Sequence, residues 1–275
     1  MNPLMQYQIH DKVFVDLPSK GYFYTADIVQ SSSKIGIRPM SAKEELVATN
    51  PDALMSGKGI DTIIESCCSY IKDASELLLV DTEILMLAIK LATGEESYKV
   101  HTKCPKCGTE GEIERDIAEM IDTVTFLEKE YSHKLENGLI VYLKPKTNKI
   151  YNDIQCHSFK LQKTIQALQN MDAPEEEKKE ELQKVLNSLV QLNLDTLAAC
   201  IEYIETPTGN VQDKSFITEY IETLDSKTVK AINTILNEID DLGINRHIKV
   251  QCNNPECLEE FEFNHMRFNP SDFFG

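Results

Sequence analysis

Residues 97–113 read SYKVHTKCPKCGTEGEI, and residues 247–263 read HIKVQCNNPECLEEFEF. Each stretch is an alternating polar–apolar run, then two cysteines around a proline-containing turn, then a second alternating run. Alternation with period two predicts a strand on each side of the turn. We therefore interpret the two stretches as copies of one device, a cysteine-bearing turn ("knuckle") between two strands.

The four cysteines of these knuckles predict one structural zinc site. Zinc prefers four thiolate or imidazole ligands in a tetrahedron, and a tight turn presents two thiolates from one short segment. The first pair has the common spacing of two intervening residues, whereas the second pair is looser, with four. The predicted ligands of this split zinc ribbon are Cys104, Cys107, Cys252 and Cys257. Four protein thiolates leave no position for water, so the zinc is expected to hold structure and not to catalyse hydrolysis.

Other interpretations of these cysteines remain at this stage. The four could be reduced thiols in or near a core, or Cys104 and Cys107 could form a redox pair. A nearby histidine could also replace Cys257 as a ligand, and the candidates are His101, His247 and His265.

The composition narrows the class of protein. The chain has 275 residues, 41% of them hydrophobic, which is enough to bury a core. Its formal net charge of -17 opposes binding to nucleic-acid phosphates or to an anionic membrane. The first residues, MNPLMQYQIHDKVF, lack the basic start and apolar run of a secretory signal, and no stretch is apolar enough to span a membrane. Eight cysteines in such a chain are therefore expected to be cytosolic thiols or metal ligands, not disulfides.

The periodicity predicts an α+β fold that is mostly helical, with short antiparallel strands and a zinc-ribbon-like element closing around a helical insertion. We divide the chain into an N-terminal α+β region (1–96), a first ribbon half with a hairpin (97–149), an acidic helical insertion (150–243), and a second ribbon half with an aromatic C-terminus (244–275). The acidic excess of the insertion is interpreted as a solvated face.

Two local signals place helices in the N-terminal region. Ser41 and Glu44 have capping-box spacing, which predicts a helix from there to about Thr49. From Asp81 the chain is apolar on nearly every side until Gly94, a residue suited to a helix C-cap. The second helix is therefore expected to be a core element.

The sequence carries no nucleophile elbow, phosphate loop or metal-hydrolase spacing. The Gly-Lys-Gly within residues 56–61 lacks the longer glycine loop of a phosphate site, and the adjacent Cys156 and His157 would point about 100 degrees apart in a helix. We therefore predict a protein that is not an enzyme and has no small-molecule substrate or catalytic residue.

The C-terminus is unusually aromatic for a solvated tail. Its phenylalanines either pack on the chain's own core or dock into a partner. They are Phe261, Phe263, Phe268, Phe273 and Phe274.

Several segments in order resemble the baseplate hub and hub-assembly proteins of T4-type contractile-tailed phages. They are LPSKGYFY (17–24), IRPMSAKEE (37–45), LLLVDTEILMLAIKLATGEESYKV (77–100) followed by CPKCG (104–108), and a second knuckle before an aromatic C-terminus. The resemblance covers roughly the first 115 residues and the last 30. The wider second knuckle and the acidic insertion depart from the pattern and leave the particular hub component open.

The resemblance implies a non-enzymatic, chaperone-like assembly factor or a hub subunit that binds other baseplate or tail proteins. It implies a place in the host cytoplasm during assembly, and in the virion if the protein is retained there. The alternative is a zinc-ribbon regulator that binds nucleic acid or RNA polymerase. Against that alternative, Lys99, Lys103, Lys106, Arg246 and Lys249 make only a small basic cluster on an acidic chain.

Overall fold

The computed structural model describes residues 10–30, 34–50, 53–54, 57–170 and 175–264. These residues form helices and short antiparallel strands, which confirms the predicted α+β class. Within them, no helix is both long and apolar enough to cross a membrane.

The chain divides into two compact units. The first combines Met1–Leu127 with Asp240–Gly275, and the second is Glu128–Ile239. The second unit is thus a continuous segment inserted between the two parts of the first. The four-segment division predicted from the sequence is finer than this and stays a prediction.

The first unit contains three antiparallel strand pairs and four helices among its described residues. The pairs are β1 with β2, β3 with β4, and β9 with β10. Its elements are β1 (Val13–Val15), β2 (Ile35–Ile37), α1 (Ala42–Ala48), α2 (Lys58–Cys67), α3 (Leu79–Thr93), β3 (Ser97–Lys103), β4 (Glu110–Asp116), α4 (Ile117–Asp122), β9 (His247–Gln251) and β10 (Glu260–Asn264).

Both helices predicted in the N-terminal region are present. The Ser41–Glu44 capping box begins α1, with the Ser41 backbone N–H donating to the Glu44 carboxylate at 2.7 Å. Helix α3 begins two residues before the predicted Asp81, ends at the predicted Gly94 cap (φ 111°), and is buried on nearly all sides. An all-round apolar helix of this kind is the centre of a core, because no face of it prefers water.

The core helix α3 also buries carboxylates. The Asp81 side chain is fully buried and accepts from the Ser19 backbone N–H (2.9 Å) and the Tyr24 hydroxyl (2.5 Å). Burial raises the pKa of Asp81 to about 6, while these hydrogen bonds act in the opposite direction. These hydrogen bonds join helix α3 to the LPSKGYFY segment, which contains Ser19 and Tyr24 and lies far from Asp81 in the sequence.

The second unit combines a four-stranded sheet with helices. The sheet is antiparallel, in the order β5-β6-β7-β8. The elements are β5 (Tyr131–Lys134), β6 (Ile140–Leu143), α5 (Asn148–Asn170), α6 (Glu175–Cys200), β7 (Ile201–Thr206), β8 (Gly209–Val211), α7 (Lys214–Glu222) and α8 (Ser226–Asp240). Helix α8 runs to the boundary residue Asp240 of the first unit.

The sequence analysis did not anticipate the strands β7 and β8. They lie within residues 150–243, which were expected to be helical, and β7 pairs with β6 of the predicted hairpin. Strand β7 is short and directly follows the long helix α6. Its period-two alternation is therefore hard to separate, in the sequence, from the helical pattern before it. The sequence also predicts that a helix of this region is entered through residues 172–174, which lie outside the described residues.

The chain leaves and re-enters the first unit at adjacent points. Thr125 and Gly243 form an isolated antiparallel bridge, in which each backbone N–H donates to the carbonyl of the other residue at 2.9 and 3.1 Å. Gly243 is in the left-handed region (φ 87°), and a Cβ there would lie 3.3 Å from the Val80 side chain. A glycine therefore fits this crossing point for both conformation and space.

Candidate metal centre

The first knuckle lies in the turn between β3 and β4. Along β3 the burial alternates strictly, so that one face packs on the core and the other faces solvent. At the end of the strand, the Cys104 N–H donates to the Thr109 carbonyl and the Gly108 N–H donates to the Cys104 carbonyl, both at 2.9 Å. Gly108 has a φ of 72°, which a glycine adopts without steric cost. The turn is thus closed by its own backbone around the two thiols.

The second knuckle lies between β9 and β10 and uses different residues. The Cys252 N–H donates to the Glu259 carbonyl at 2.8 Å, which closes the wider turn. The Asn254 carbonyl accepts from the N–H groups of Cys257 (2.9 Å) and Leu258 (3.1 Å). Leu258 is in the left-handed region with a φ of 46°, directly after the second cysteine, as Gly108 is in the first knuckle. The two extra residues are therefore absorbed inside the turn and both thiols still face inward.

The two knuckles bring their four thiols together. The Sγ atoms of Cys104, Cys107, Cys252 and Cys257 all lie within 4.8 Å of one another. Across the knuckles, Cys107 Sγ is 3.5 Å from Cys252 Sγ, and Cys104 Sγ is 4.0 Å from Cys257 Sγ. Thiolates about 2.3 Å from a tetrahedral zinc ion stand about 3.8 Å apart, so these separations fit such an ion.

The histidines considered as replacements for Cys257 do not join this cluster. The His101 side chain is 83% exposed and faces Glu112, with Nδ1 3.8 Å from the carboxylate. His247 is exposed at the start of β9, and His265 lies outside the described residues. Cys257 is the fourth member of the cluster that the structure describes.

The proton affinities of the thiols differ sharply. The Thr109 side chain and backbone N–H hold the pKa of Cys107 down, at about 6. The Asn254 N–H favours the Cys252 thiolate, but burial and the neighbouring thiols outweigh it and raise the pKa of Cys252 to about 12. The pKa of Cys257 is also raised, by burial and by Cys107 and Cys104, against a backbone hydrogen bond from Glu259. Several adjacent thiolates repel one another, and a divalent cation removes that repulsion.

Side chains outside the cluster join the two knuckles. Lys106 Nζ in the first knuckle lies 2.6 Å from the Glu259 carboxylate beside the second. Gly111 on β4 allows a close approach, because a Cβ there would lie 2.9 Å from the Asn253 side-chain nitrogen. The two turns thus meet through charge and through a small residue as well as through sulfur.

A buried ion pair attaches the second ribbon half to the core helix. Arg246, which directly precedes β9, pairs with Glu83 of α3, and their side chains are only 6% and 4% exposed. From the sequence, Arg246 was counted in a small basic cluster, whereas the structure buries its side chain. A charged residue carries no sequence signal of burial, since its partner lies far away in the chain.

A family model described as "T4 bacteriophage base plate protein" matches residues 13–275, nearly the whole chain. The chain belongs to this family. Searches of curated proteins and of solved structures returned no match. Membership confirms the baseplate resemblance of the sequence analysis; it does not distinguish a hub subunit from an assembly factor.

The Gly-Lys-Gly motif and the Cys156–His157 pair lie outside the four-cysteine cluster. Gly57 is the N-cap of α2 with a φ of 75°, and Gly59 lets the helix approach the Ala53 backbone, where a Cβ would lie 3.1 Å away. Cys156 is half-buried and His157 exposed on α5, and no cluster of metal-binding side chains among the described residues includes them. Gly57 thus has a conformational role and Gly59 a packing role.

The aromatic C-terminus is described only in part. Phe263 on β10 is half-buried against the core of the first unit, and Phe261 is half-buried on the same strand. The other three phenylalanines, at positions 268, 273 and 274, lie outside the described residues. The two described rings belong to the β9–β10 hairpin.

Proposed function

We propose that this protein is a non-enzymatic part of the phage tail baseplate, either a hub subunit or a chaperone-like hub-assembly factor, acting through contacts with other tail proteins. The observation that carries the proposal is the family match over residues 13–275. A long, continuous match supports a shared role of the whole chain and not of one borrowed module. The host cytoplasm would be its place during assembly, and the virion tail its place if it is retained.

A structural zinc ion is part of the proposal. Its ligands would be Cys104, Cys107, Cys252 and Cys257, whose sulfur atoms have separations suited to tetrahedral coordination. With all four positions taken by protein, the ion would have no site for substrate. Its contribution would be to stabilise the ribbon, because metal binding to a site formed only on folding adds to the folding free energy.

Charge pairing on the ribbon supports protein partners over nucleic acid. The lysines that would make a basic surface face carboxylates: Lys99 lies 2.9 Å from Glu112, and Lys103 lies 3.6 Å from Glu110. Lys106 pairs with Glu259. A phosphate contact at these lysines would have to compete with a local carboxylate on a chain of net charge -17.

Deletion of the gene in its phage tests the role. We expect infected cells to accumulate heads and unassembled tail proteins without complete baseplates, and expression of the chain in trans to restore them. Normal baseplates in the deletion would refute the proposal. Mass spectrometry of purified virions then separates the two forms, since a hub subunit stays in the particle and an assembly factor is missing from it.

Cobalt substitution tests the chemistry of the metal site. Cobalt(II) in place of zinc should show the intense thiolate charge-transfer and visible bands of a tetrahedral four-sulfur site. A spectrum of a site with bound water would contradict a closed structural centre.

A further inference from the structure

On one face of the sheet in the second unit, the described strand residues are half-buried or exposed, and none of them is fully buried. Val141 and Ile204 pair with each other across β6 and β7 and are both buried, which identifies the buried face of the sheet. On the opposite face, the register places Tyr142 of β6 beside Tyr203 of β7. Antiparallel sheets often leave one face to solvent, but that face is then usually polar. Here its two central strands present aromatic rings.

The two rings form a fixed platform. Their centroids are 4.2 Å apart and their planes are inclined by 17°, so the rings are stacked, and both residues are half-buried. The Tyr142 hydroxyl donates to the Glu205 carboxylate at 3.0 Å. Stacking and this hydrogen bond both restrict ring rotation, so a ligand would not have to order the platform on binding.

The charges that act on this platform are mainly negative. The hydrogen bond to Glu205 and burial raise the pKa of Tyr142 to about 12, with Glu130 adding to the effect. The pKa of Tyr203 is raised by burial, by Glu130 and by Glu202. One lysine, Lys134, stands at the edge of the same face, across Ile140 from Glu205.

We propose that the Tyr142–Tyr203 stack, with Glu130, Glu202 and Glu205, is a docking site for an arginine side chain on a basic segment of a partner protein. A guanidinium group stacks flat on an aromatic face and can bond a carboxylate in a bidentate manner. The Tyr142 hydroxyl bonds Glu205, and Glu130 and Glu202 act electrostatically on Tyr203, so rings and carboxylates occur together here. Phosphate-bearing partners are disfavoured, because they would face the same carboxylates.

The arrangement of the face fits a protein interface. Interfaces commonly have an aromatic centre with a polar rim, and tyrosine and arginine are enriched among the residues that contribute most to binding. The rim here consists of Ser132 on β5, which pairs with Tyr142, and Asn210 on β8, which pairs with Glu205. Complementary charge also accelerates association, which suits an acidic protein that must find its partners during assembly.

The inference names the chemistry of one partner contact and rests on the proposed function for its biological meaning. It is tested on the full chain with tyrosine rings labelled with carbon-13. The probe is the peptide acetyl-Gly-Arg-Gly-Arg-Gly-amide, and the control peptide has glutamine in place of each arginine. We expect saturable shifts at two of the ten tyrosines, which Tyr142→Phe and Tyr203→Phe identify by removing one signal each.

Variants at the carboxylates test the charge contribution. Glu205→Gln and Glu202→Gln should each weaken the peptide by about fivefold, the size of a cation–π or exposed charge contact. Glu238→Gln, at an exposed position on α8, should leave the peptide affinity unchanged. Two separate carboxylate variants keep the test informative if one of them folds poorly.

Three outcomes would overturn the proposal: no saturable shift at Tyr142 and Tyr203, equal shifts with the glutamine peptide, or undiminished affinity in the Glu202→Gln/Glu205→Gln double variant. The result is independent of the gene deletion. A failed peptide titration would leave a baseplate phenotype standing, and normal baseplates in the deletion would leave the arginine site standing.

Discussion

The two knuckles are one device built from two different sequences. The first has two residues between its cysteines and a glycine, Gly108, at the left-handed position that follows. The second has four residues between its cysteines and places Leu258 at the same position, with a φ of 46°. A non-glycine residue in this region carries steric strain. The difference teaches that the position of the thiols, and not the local sequence, is what the two turns have in common.

The two hairpins are also attached to the core in different ways. The first follows directly from the core helix α3, whose Gly94 cap leads into β3. The second is reached only after the whole second unit and is held to the same helix by the buried Arg246–Glu83 pair. Both hairpins pack side chains on the core, Tyr98 and Val100 from the first and Phe263 from the second, and the ion pair is an additional attachment of the returning hairpin.

Loss of one thiol from the second knuckle should remove the metal site that the two knuckles share. In Cys252→Ser we expect zinc content to fall from about one ion per chain to near zero, and the free energy of unfolding to fall by roughly 5 kcal/mol, since metal binding is coupled to folding. Elemental analysis and chemical denaturation measure the two effects. Cys156→Ser, outside the cluster, is the matched control and should keep its zinc; equal zinc in both variants would remove Cys252 from the site.

Removal of one partner of the buried ion pair should affect the second hairpin without removing the metal. Glu83→Gln leaves Arg246 as an uncompensated buried charge, which typically costs about 3–5 kcal/mol. Denaturant unfolding measures the loss, and elemental analysis should still find zinc in the folded variant. Glu136→Gln breaks the exposed pair with Lys227 and should change stability by less than about 0.5 kcal/mol. Equal effects of the two variants would show that burial of the first pair does not matter.

Substitution of the residue that follows the second cysteine should change the free energy of unfolding in opposite directions in the two knuckles. Leu258 is 57% exposed and gives up little packing, so Leu258→Gly should stabilise the protein by about 0.5–1 kcal/mol through relief of the strained backbone. Gly108→Ala should destabilise it by about 1 kcal/mol, because alanine carries a steric cost at a φ of 72°. Both are read from denaturant midpoints with zinc present. A destabilising Leu258→Gly would mean that the leucine side chain has a packing role.

The Lys106–Glu259 pair between the knuckles should contribute least to the free energy of unfolding. Lys106→Met removes the pair with Glu259, which is largely solvent-exposed, and we expect a loss of at most about 0.5 kcal/mol that disappears in high salt. Unfolding at low and at high ionic strength checks this. A larger, salt-independent loss would place the lysine in the structural core of the ribbon.

Much of the four-cysteine cluster was predictable from the sequence, because the patterns that mark it each span only a few residues. Cysteines around a proline turn between alternating runs identify a knuckle from about ten residues, and the apolar run ending at Gly94 identifies the core helix. The strands β7 and β8 were missed because a short alternating run after a long helix resembles its continuation. The Arg246–Glu83 pair and the Tyr142–Tyr203 stack were missed because each joins residues far apart in the chain, and no local pattern marks such a partner.

The sequence by itself determined the fold class, the core helix and the identity of the four clustered cysteines, because periodicity, capping and turn chemistry act over a few residues. Only the tertiary structure decided the distances at which the thiols of the two knuckles meet, that Arg246 is buried and that two tyrosines stack on one face of a sheet. These features depend on contacts between distant segments, whose geometry follows from the packing of the whole unit.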